Sequence, residues 1–477
     1  MQLTPRQAWA YGAGDLGVAL LYVGINTYFF YYLVNVVELT AVHAGLVFVV
    51  GRVVDAFTDP LIGAVSDARR ARHGRLSLLR WAVAPTALAF VGLFALPLLP
   101  GAPVAWATLG AIGFSVAHTC VLMPYLAVLP ELVRDYDDRT RVIGIKSVFT
   151  MVATLIAFAA PPALVLALDG GGGGGGGGGG TDLAATTPGA WVAMSVVLAL
   201  VFCVPMAITG FGVPDTGGAR APDDGPLDST DAVDLRATAR GLWREVRSAW
   251  QTRGLAGVVY LFLAVTVGIM ITNSLLAFFL ESALGLPGDA LPGILGGLVL
   301  VSILAFPLWI RLSAKLGKRV SLIGALAVEA ASLLLLVTVV PAGGVSAALI
   351  GVVVLNGVAV GGVTMFPWAM LPDVVELDEL AVGRRREGVL YALFTFAQKL
   401  ATSVGVFANA IVIAAFGYVP GVAEQSADTV AALRAMMGPG AAAVFALAAL
   451  LTWRYPVTRA LHAEASGALR AKKIPQP

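Results

Sequence analysis

The stretch Ala41–Val65, AVHAGLVFVVGRVVDAFTDPLIGAV, is a long apolar run that carries Arg52, Asp55 and Asp59. About 20 apolar residues are enough to cross the hydrocarbon core of a bilayer as a helix. Charged side chains inside such a helix are costly, and they usually line a pathway or pair with one another. This stretch therefore predicts a membrane helix whose charges serve a function.

The rest of the chain has the same apolar character. It has 477 residues, of which 58% are hydrophobic and 13% are charged, whereas soluble domains have about 25% charged residues. The net charge of +2 gives no reason to expect nucleic acid as a partner. Twelve runs have spanning length, at 8–36, 41–65, 77–99, 103–129, 142–168, 188–213, 254–280, 289–310, 320–341, 345–371, 388–416 and 438–455.

Lysine and arginine are concentrated in alternate connections between these runs. They crowd the loops after spans 2, 4, 6, 8 and 10 and the C-terminal tail, whereas the opposite loops carry only Arg434. Basic loops stay on the cytoplasmic side of a membrane. We therefore expect a multi-pass protein of the plasma (inner) membrane with both termini in the cytoplasm.

The predicted domain organisation is two halves of six spans. Residues 1–213 form the first half, 214–253 a polar cytoplasmic linker, 254–456 the second half and 457–477 a cytoplasmic tail. The end of the linker has the pattern of an amphipathic helix, which fits a helix on the inner leaflet and a solvated linker helix about equally well. The glycine tract 170–180 predicts a disordered loop between spans 5 and 6.

A short internal repeat supports the two halves. Span 4 ends in Pro124–Leu132, PYLAVLPEL, and span 10 ends in Pro367–Val374, PWAMLPDV. These spans are six apart, as duplication of a six-span unit requires. Parallel repeats of this kind place a substrate site near the bilayer midplane, between the halves.

The charges of span 2 have two interpretations. Asp55 and Asp59 are four residues apart and share one helical face, with Arg52 on the same side. Lys399 lies well inside span 11. One interpretation is a structural salt-bridge cluster in which Arg52 and Lys399 pair both carboxylates. We favour the other, a cation site, because a static bridge would cost more than apolar packing.

Other buried polar residues are less informative. His118 has the pattern of a core histidine, and Asn273 and Asn356 fit interhelical hydrogen bonds and substrate contacts equally well. No Ser-His-Asp set, metal-spaced His/Cys cluster or phosphate loop is apparent in the sequence. We expect no enzyme activity, and no cofactor apart from a coupling ion.

Several of these motifs together resemble the glycoside–pentoside–hexuronide:cation symporters of the major facilitator superfamily. They are Tyr11–Asp15, Gly51–Pro60, the paired Pro-x…Leu-Pro ends of spans 4 and 10, Lys399 and the basic loop Asp67–Arg75. The resemblance covers nearly the whole chain. It implies an all-α membrane protein with twelve helices in two six-helix pseudo-repeat halves, the major facilitator fold.

The resemblance also implies roles for individual residues. Asp55 and Asp59 would bind the cation, either Na⁺ or H⁺, with Thr119 as a third ligand. Lys399 would act as the coupling charge, and whether Arg52 belongs to the site stays open. The residues expected to line the substrate cavity are Asp15, Ala19, Leu122, Tyr125, Trp368 and Thr395.

Two of these positions differ from the galactoside carriers of the family. Those carriers have sugar-binding aspartates where this chain has Ala19 and Leu122. A related branch carries lysolipids with sodium, and an apolar cavity would suit such a substrate.

We therefore predict a monomeric symporter that imports a sugar or glycoside by alternating access. The alternative is a sodium-coupled transporter of a lysolipid or other amphiphile, and a transport-dead sensor or scaffold is the least favoured. The expected partners are a small-molecule substrate, a coupling cation and the lipid bilayer.

Overall fold

The structure of the protein is a computed structural model. It describes residues 4–74, 76–133, 136–169, 183–215, 255–382, 387–420, 422 and 425–455. These residues form helices and no strands, and twelve of the helices are long and apolar enough to cross a membrane. The prediction of an all-α membrane protein with twelve spans is therefore confirmed.

The first half contains helices α1 to α6. They are α1 Pro5–Asn35, α2 Ala41–His73, α3 Leu76–Ala95, α4 Pro103–Leu132, α5 Tyr136–Leu168 and α6 Pro188–Gly212. The second half contains α7 to α12. They are α7 Leu255–Ala283, α8 Leu291–Leu316, α9 Lys318–Thr338, α10 Ala347–Val382, α11 Glu387–Ala415 and α12 Ala427–Arg454.

Several helices are longer than the apolar runs that predicted them. Helix α2 continues from Val65 to His73, and α10 continues beyond residue 371 to Val382. Helix α12 begins at Ala427, before the predicted run 438–455. Its first turns carry Asp428 and Arg434, which lower the local hydropathy. A helix satisfies its own backbone in water as in lipid, so hydropathy marks the apolar part of a helix and not its ends.

Some predicted segments lie outside the described residues. They are the glycine tract 170–180, the linker 214–253 apart from its first two residues, and the tail 457–477. Their predicted roles stay predictions.

Two π-helical turns occupy matching places in the two halves. Helix α1 contains one at Ile25–Phe29, and α7 ends in one at Phe279–Ala283. Single π-turns inside α-helices often occur at functional sites. Each of these turns carries a polar side chain, Asn26 in α1 and Glu281 in α7, and both take part in the contacts described below.

The bundle has two ends. We call the end where α1 begins at Pro5 and α12 ends at Arg454 the basal face, and the end where α1 finishes at Asn35 the distal face. The halves meet where α2 packs against α11 and α5 against α8. A Cβ atom built at Gly45 of α2 would come within 2.7 Å of the Ala410 Cβ. The small residue allows the halves to approach closely near the distal face.

Candidate functional site

A cluster of charged side chains lies between α2, α4 and α11, and we call it the charge cluster. It contains Arg52, Asp55 and Asp59 of α2, Thr119 of α4 and Lys399 of α11. The structure thus brings together all of the residues that the sequence assigned to cation binding and coupling.

Arg52 belongs to this cluster. Its Nη1 lies 3.1 Å from Asp55 Oδ2, and its Nη2 donates a hydrogen bond of 2.6 Å to Asn26 Oδ1. The guanidinium carbon also lies 4.8 Å from the centroid of the Tyr22 ring. Asn26 was not among the predicted site residues, although a polar amide inside the predicted run 8–36 was a detectable signal.

Lys399 joins the two halves of the molecule. Its Nζ donates a hydrogen bond to Asp59 Oδ2 and lies 3.9 Å from Asp55 Oδ2. Thr119 Oγ1 donates a hydrogen bond of 3.1 Å to Asp59 Oδ1. The Lys399 side chain is only 9% exposed and that of Asp55 8%, so this ion pair lies in an environment that screens charge weakly.

The cluster is formally neutral as it stands. Asp55 and Asp59 contribute −2, and Arg52 and Lys399 contribute +2. The ammonium of Lys399 lies beside both carboxylates, at contact distances that would also suit a small cation. The oxygen atoms of Asp55, Asp59 and Thr119 are hard ligands of the type that such cations prefer. The geometry allows a static bridge and also an exchange of Lys399 for a cation.

A cavity of about 910 Å³ lies between the halves. The described residues that line it come from α1, α5, α7, α8, α9, α10 and one position of α12. Most of them are apolar. The charged side chains among them are Asp15, Lys146 and Glu329, and the amides are Asn273 and Asn356.

The described residues that line the cavity are exposed toward the basal face and buried toward the distal face. Its basal lining includes Ile143 and Ile310, which are exposed. Its distal lining includes Leu280, Leu295 and Met437, each no more than 1% exposed. The exposed part of the described lining therefore lies on the basal side.

Two of the six residues predicted to line the cavity, Asp15 and Trp368, do so. Four others are not among the described lining residues, and they are Ala19, Leu122, Tyr125 and Thr395. Tyr125 is fully buried: its ring stacks on Tyr11 at 4.8 Å, and its hydroxyl donates to the Tyr11 carbonyl. Helix α4 thus packs behind α1 at this level, and α5 takes its place at the cavity wall.

Asp15 already has partners. Its Oδ1 lies 3.3 Å from Lys146 Nζ, and its Oδ2 accepts a hydrogen bond from Thr150. The sequence analysis missed Lys146, although a lone cation inside the predicted run 142–168 was a detectable signal. Asp15 is therefore not a free acceptor that replaces the aspartates missing at Ala19 and Leu122.

The distal closure depends on polar contacts between the halves. The Tyr31 hydroxyl donates to Glu281 Oε2, and Glu281 Oε1 accepts a hydrogen bond of 2.9 Å from the Leu183 amide. Tyr418 donates a hydrogen bond of 2.8 Å to Asn35 Oδ1. Glu281 was missed because it lies one residue beyond the predicted run 254–280, yet it is an acidic residue at the edge of an apolar segment.

Removing the Glu281 carboxylate is expected to loosen this closure. Glu281→Ala removes one acceptor of the Tyr31 hydroxyl and the acceptor of the Leu183 amide, which costs roughly 1–3 kcal/mol, or about five- to a hundredfold in the open-to-closed ratio. The measurement is the rate at which an impermeant maleimide applied to the distal face labels Leu276→Cys in the cavity, with Cys120 and Cys203 replaced. Asp428→Ala, an exposed acid in the first turn of α12, is the control. An unchanged labelling rate would show that the closure does not depend on Glu281.

The chain is similar to known transport proteins along most of its length. The family model described as "MFS/sugar transport protein" matches residues 10–459. The chain is 26% identical to an uncharacterized symporter of Synechocystis sp., covering 97% of this chain and 96% of that protein. It is 24% identical to the sodium-dependent lysophosphatidylcholine symporter 1-A of Danio rerio, covering 89% and 81%. It is also 24% identical to the isoprimeverose transporter of Lactiplantibacillus pentosus, covering 88% and 82%.

A solved structure shares the fold. The chain superposes with a TM-score of 0.67 on a bacterial homolog of the human lysosomal transporter Spinster, crystallised in an inward-facing and occupied conformation. The match covers 94% of this chain and 97% of that one at 14% sequence identity. At this identity the similarity concerns the arrangement of the twelve helices.

Proposed function

Because this chain belongs to the MFS/sugar transport protein family, we propose that it is a cation-coupled symporter that moves a sugar or glycoside across the membrane by alternating access. The observation that carries the proposal is the position of Lys399, whose ammonium contacts Asp59 and lies 3.9 Å from Asp55 Oδ2. A tethered cation in that place can be exchanged for a free one.

The proposed coupling follows from which half each residue belongs to. Asp55, Asp59 and Thr119, the candidate ligands, all lie in the first half, whereas Lys399 lies in the second. When Na⁺ or H⁺ binds the carboxylates, Lys399 loses its partner and the ion pair between the halves breaks. Ion binding thereby removes a contact between α2 and α11, and this favours the rocking of one half against the other.

The orientation completes the transport cycle. With the basic loops and both termini in the cytoplasm, the basal face is the cytoplasmic one. In this proposal the state described is inward-open, and Tyr31, Glu281 and Tyr418 join the two halves on the exterior side. We propose that the protein acts in the plasma (inner) membrane as a monomer, since each chain encloses its own cavity.

A second candidate substrate is a lysolipid or similar amphiphile. The cavity is mostly apolar, and Ala19 and Leu122 are not among its described lining residues. Asp15, the carboxylate nearest to them on α1, is occupied by Lys146 and Thr150. One of the relatives above is a sodium-dependent lysophosphatidylcholine symporter, which agrees with this alternative.

The proposal is tested by ion-dependent binding and uptake. Purified protein is screened for thermal stabilisation by Na⁺, Li⁺, changes in pH, sugars and lysolipids, and uptake into proteoliposomes is measured with and without a cation gradient. A symporter shows mutual stabilisation by ion and substrate together with gradient-driven uptake. Ligand binding without any uptake would instead indicate a sensor.

Simple galactosides are expected to bind weakly. A sugar hydroxyl that finds no acceptor on the mostly apolar wall costs roughly 1–3 kcal/mol, or about five- to a hundredfold in affinity per contact. A large apolar aglycone recovers affinity by covering the apolar wall. Competition binding with a galactoside series of increasing aglycone size, alongside lysolipids, checks this. Tight binding of free melibiose or lactose that is unaffected by the aglycone would contradict it, and preference for a lysolipid over every sugar would favour the second candidate.

A further inference from the structure

A buried polar group that the coupling mechanism does not use lies where α9 and α10 form one wall of the cavity. Glu329 and Ser332 of α9 and Asn356 of α10 all line it. Glu329 is 2% exposed and Ser332 is fully buried, whereas Asn356 is half-buried. Asn356 is therefore the member of the group that a molecule in the cavity reaches first.

The orientation of the Asn356 amide is determined by its two neighbours. Its Nδ2 donates hydrogen bonds of 3.1 Å to Glu329 Oε1 and 2.9 Å to Ser332 Oγ. An amide nitrogen has two hydrogens, so both donors are used. The remaining group is the carbonyl oxygen Oδ1, which accepts no hydrogen bond within the described part of the chain. This wall of the cavity therefore presents a hydrogen-bond acceptor, Asn356 Oδ1, to a donor on a bound molecule.

Glu329 itself is costly to keep in this place. Its Oε2 is buried with no hydrogen-bond partner among the described residues, and no described cationic side chain pairs with it. Ionisable groups at this depth in a membrane protein are expensive and usually functional. Holding Asn356 is a function that explains its presence.

The opposite wall does not offer the same opportunity. Asp15 is paired with Lys146 and accepts a hydrogen bond from Thr150, so each of its carboxylate oxygens already has one partner. Asn356 Oδ1 has no such partner in the described part of the chain, so a substrate donor reaches it without displacing one.

We propose that Asn356, held in place by Glu329 and Ser332, binds a hydrogen-bond-donating group of the substrate. The donor is a hydroxyl if the substrate is a glycoside and an ammonium N–H if it is an amphiphile, while the apolar part lies along the rest of the cavity. Asn356 touches the substrate, and Glu329 and Ser332 are positioning residues. The inference rests on the proposed transport function and assigns the substrate group that this wall selects.

The test uses matched probes that differ only in their donors. The first pair is 4-nitrophenyl glucoside and its tetra-O-methyl derivative. The second is lysophosphatidylethanolamine, which has ammonium N–H groups, and lysophosphatidylcholine, which has none. Affinities are measured on the purified full-length protein in lipid nanodiscs, and thermal stabilisation by Na⁺ is recorded separately as the readout of the charge cluster.

The variants separate binding from structure. We expect Asn356→Leu to weaken the probe that bears the sugar hydroxyls or the ammonium N–H groups about ten- to a hundredfold, and to leave its methylated partner unchanged. Glu329→Gln keeps an acceptor for Asn356 and should keep the preference, whereas Glu329→Leu should lose it. Asn409→Leu is the matched control, because Asn409 also donates to two acceptors, the Ile271 carbonyl and Ser274, but is fully buried and does not line the cavity.

The outcomes distinguish this inference from the proposed function. A donor preference that survives Asn356→Leu would overturn the inference. Equal weakening of both probes, as for loss of a structural amide in Asn409→Leu, would also overturn it. If the wild-type protein binds none of the four probes, both the inference and the proposed substrate classes are wrong. Thermal stabilisation by Na⁺ in that case would show that the protein still has its cation site.

Discussion

Asp55→Asn and Asp59→Asn should each abolish cation-stimulated uptake while leaving expression and membrane insertion intact. The two carboxylates are the only acidic side chains of the charge cluster within the described residues. Loss of one charged ligand is worth roughly 1.5–3 kcal/mol, or about ten- to a hundredfold in cation affinity. The effect on Asp59 should be the larger, because Lys399 and Thr119 both bond to it.

The measurement is uptake into proteoliposomes as a function of cation concentration. Asp428→Asn, at an exposed position on the first turn of α12, serves as the control. Full cation stimulation in either variant would place the site elsewhere.

A double variant separates the cation site from a static salt bridge. Asp59→Asn combined with Lys399→Leu removes both members of the pair and keeps the formal charge of the cluster at zero. A purely structural bridge replaced in this way is often tolerated, so transport would recover with wild-type cation dependence. A cation site has lost a ligand, and cation stimulation stays absent. Recovery in the double variant would therefore contradict the proposed coupling.

Lys399→Ala is expected to change cation dependence more than substrate affinity. A charge count that leaves out Arg52 predicts −2 at the empty site of this variant. Because Arg52 lies 3.1 Å from Asp55, the count becomes −1, and one bound cation restores neutrality. The cation no longer has to displace an ammonium from Asp59, so it should bind about tenfold or more tightly. Without a bound ion, the carrier should change slowly between its inward- and outward-facing states.

Two readouts test this expectation. Thermal stabilisation as a function of Na⁺ concentration reports cation affinity, and exchange against net uptake reports the return of the empty carrier. Lys399→Arg keeps the charge and is the conservative comparison. Equal loss of cation and substrate binding in Lys399→Arg would indicate that the lysine has a structural role in the packing of α11 against α2.

The distribution of apolar residues along the chain determined the number of spans and their approximate places. A helix in a bilayer must be apolar over its own length, and this requirement is local, so it can be seen in the sequence. The shared face of Asp55 and Asp59 is also local, because four residues make nearly one helical turn. These two facts were enough to predict the twelve-helix fold and the location of the charge cluster on α2.

The hydrogen-bond and ion-pair partners of those side chains depend on the tertiary structure. Lys399 meets Asp59 across 340 positions of sequence, and Glu281 meets Leu183 across 98. Such contacts depend on the rotation and axial register of each helix, and a change of one residue in register turns a side chain by about 100°. Packing of whole helix faces sets these quantities, and no short motif records them.

The residues that line the cavity were the hardest to predict from the sequence. The residues at its wall depend on which helices lie inside, and α5, α8 and α9 occupy places that the sequence had given to spans 4 and 11. Glu329 and Asn356 were visible as polar residues in apolar runs, but only the folded bundle brings them within 3.1 Å of each other and leaves one amide oxygen for a ligand. The free-energy cost of burying a polar residue can be seen in the sequence of each span. The partner that offsets this cost depends on how the two halves pack together.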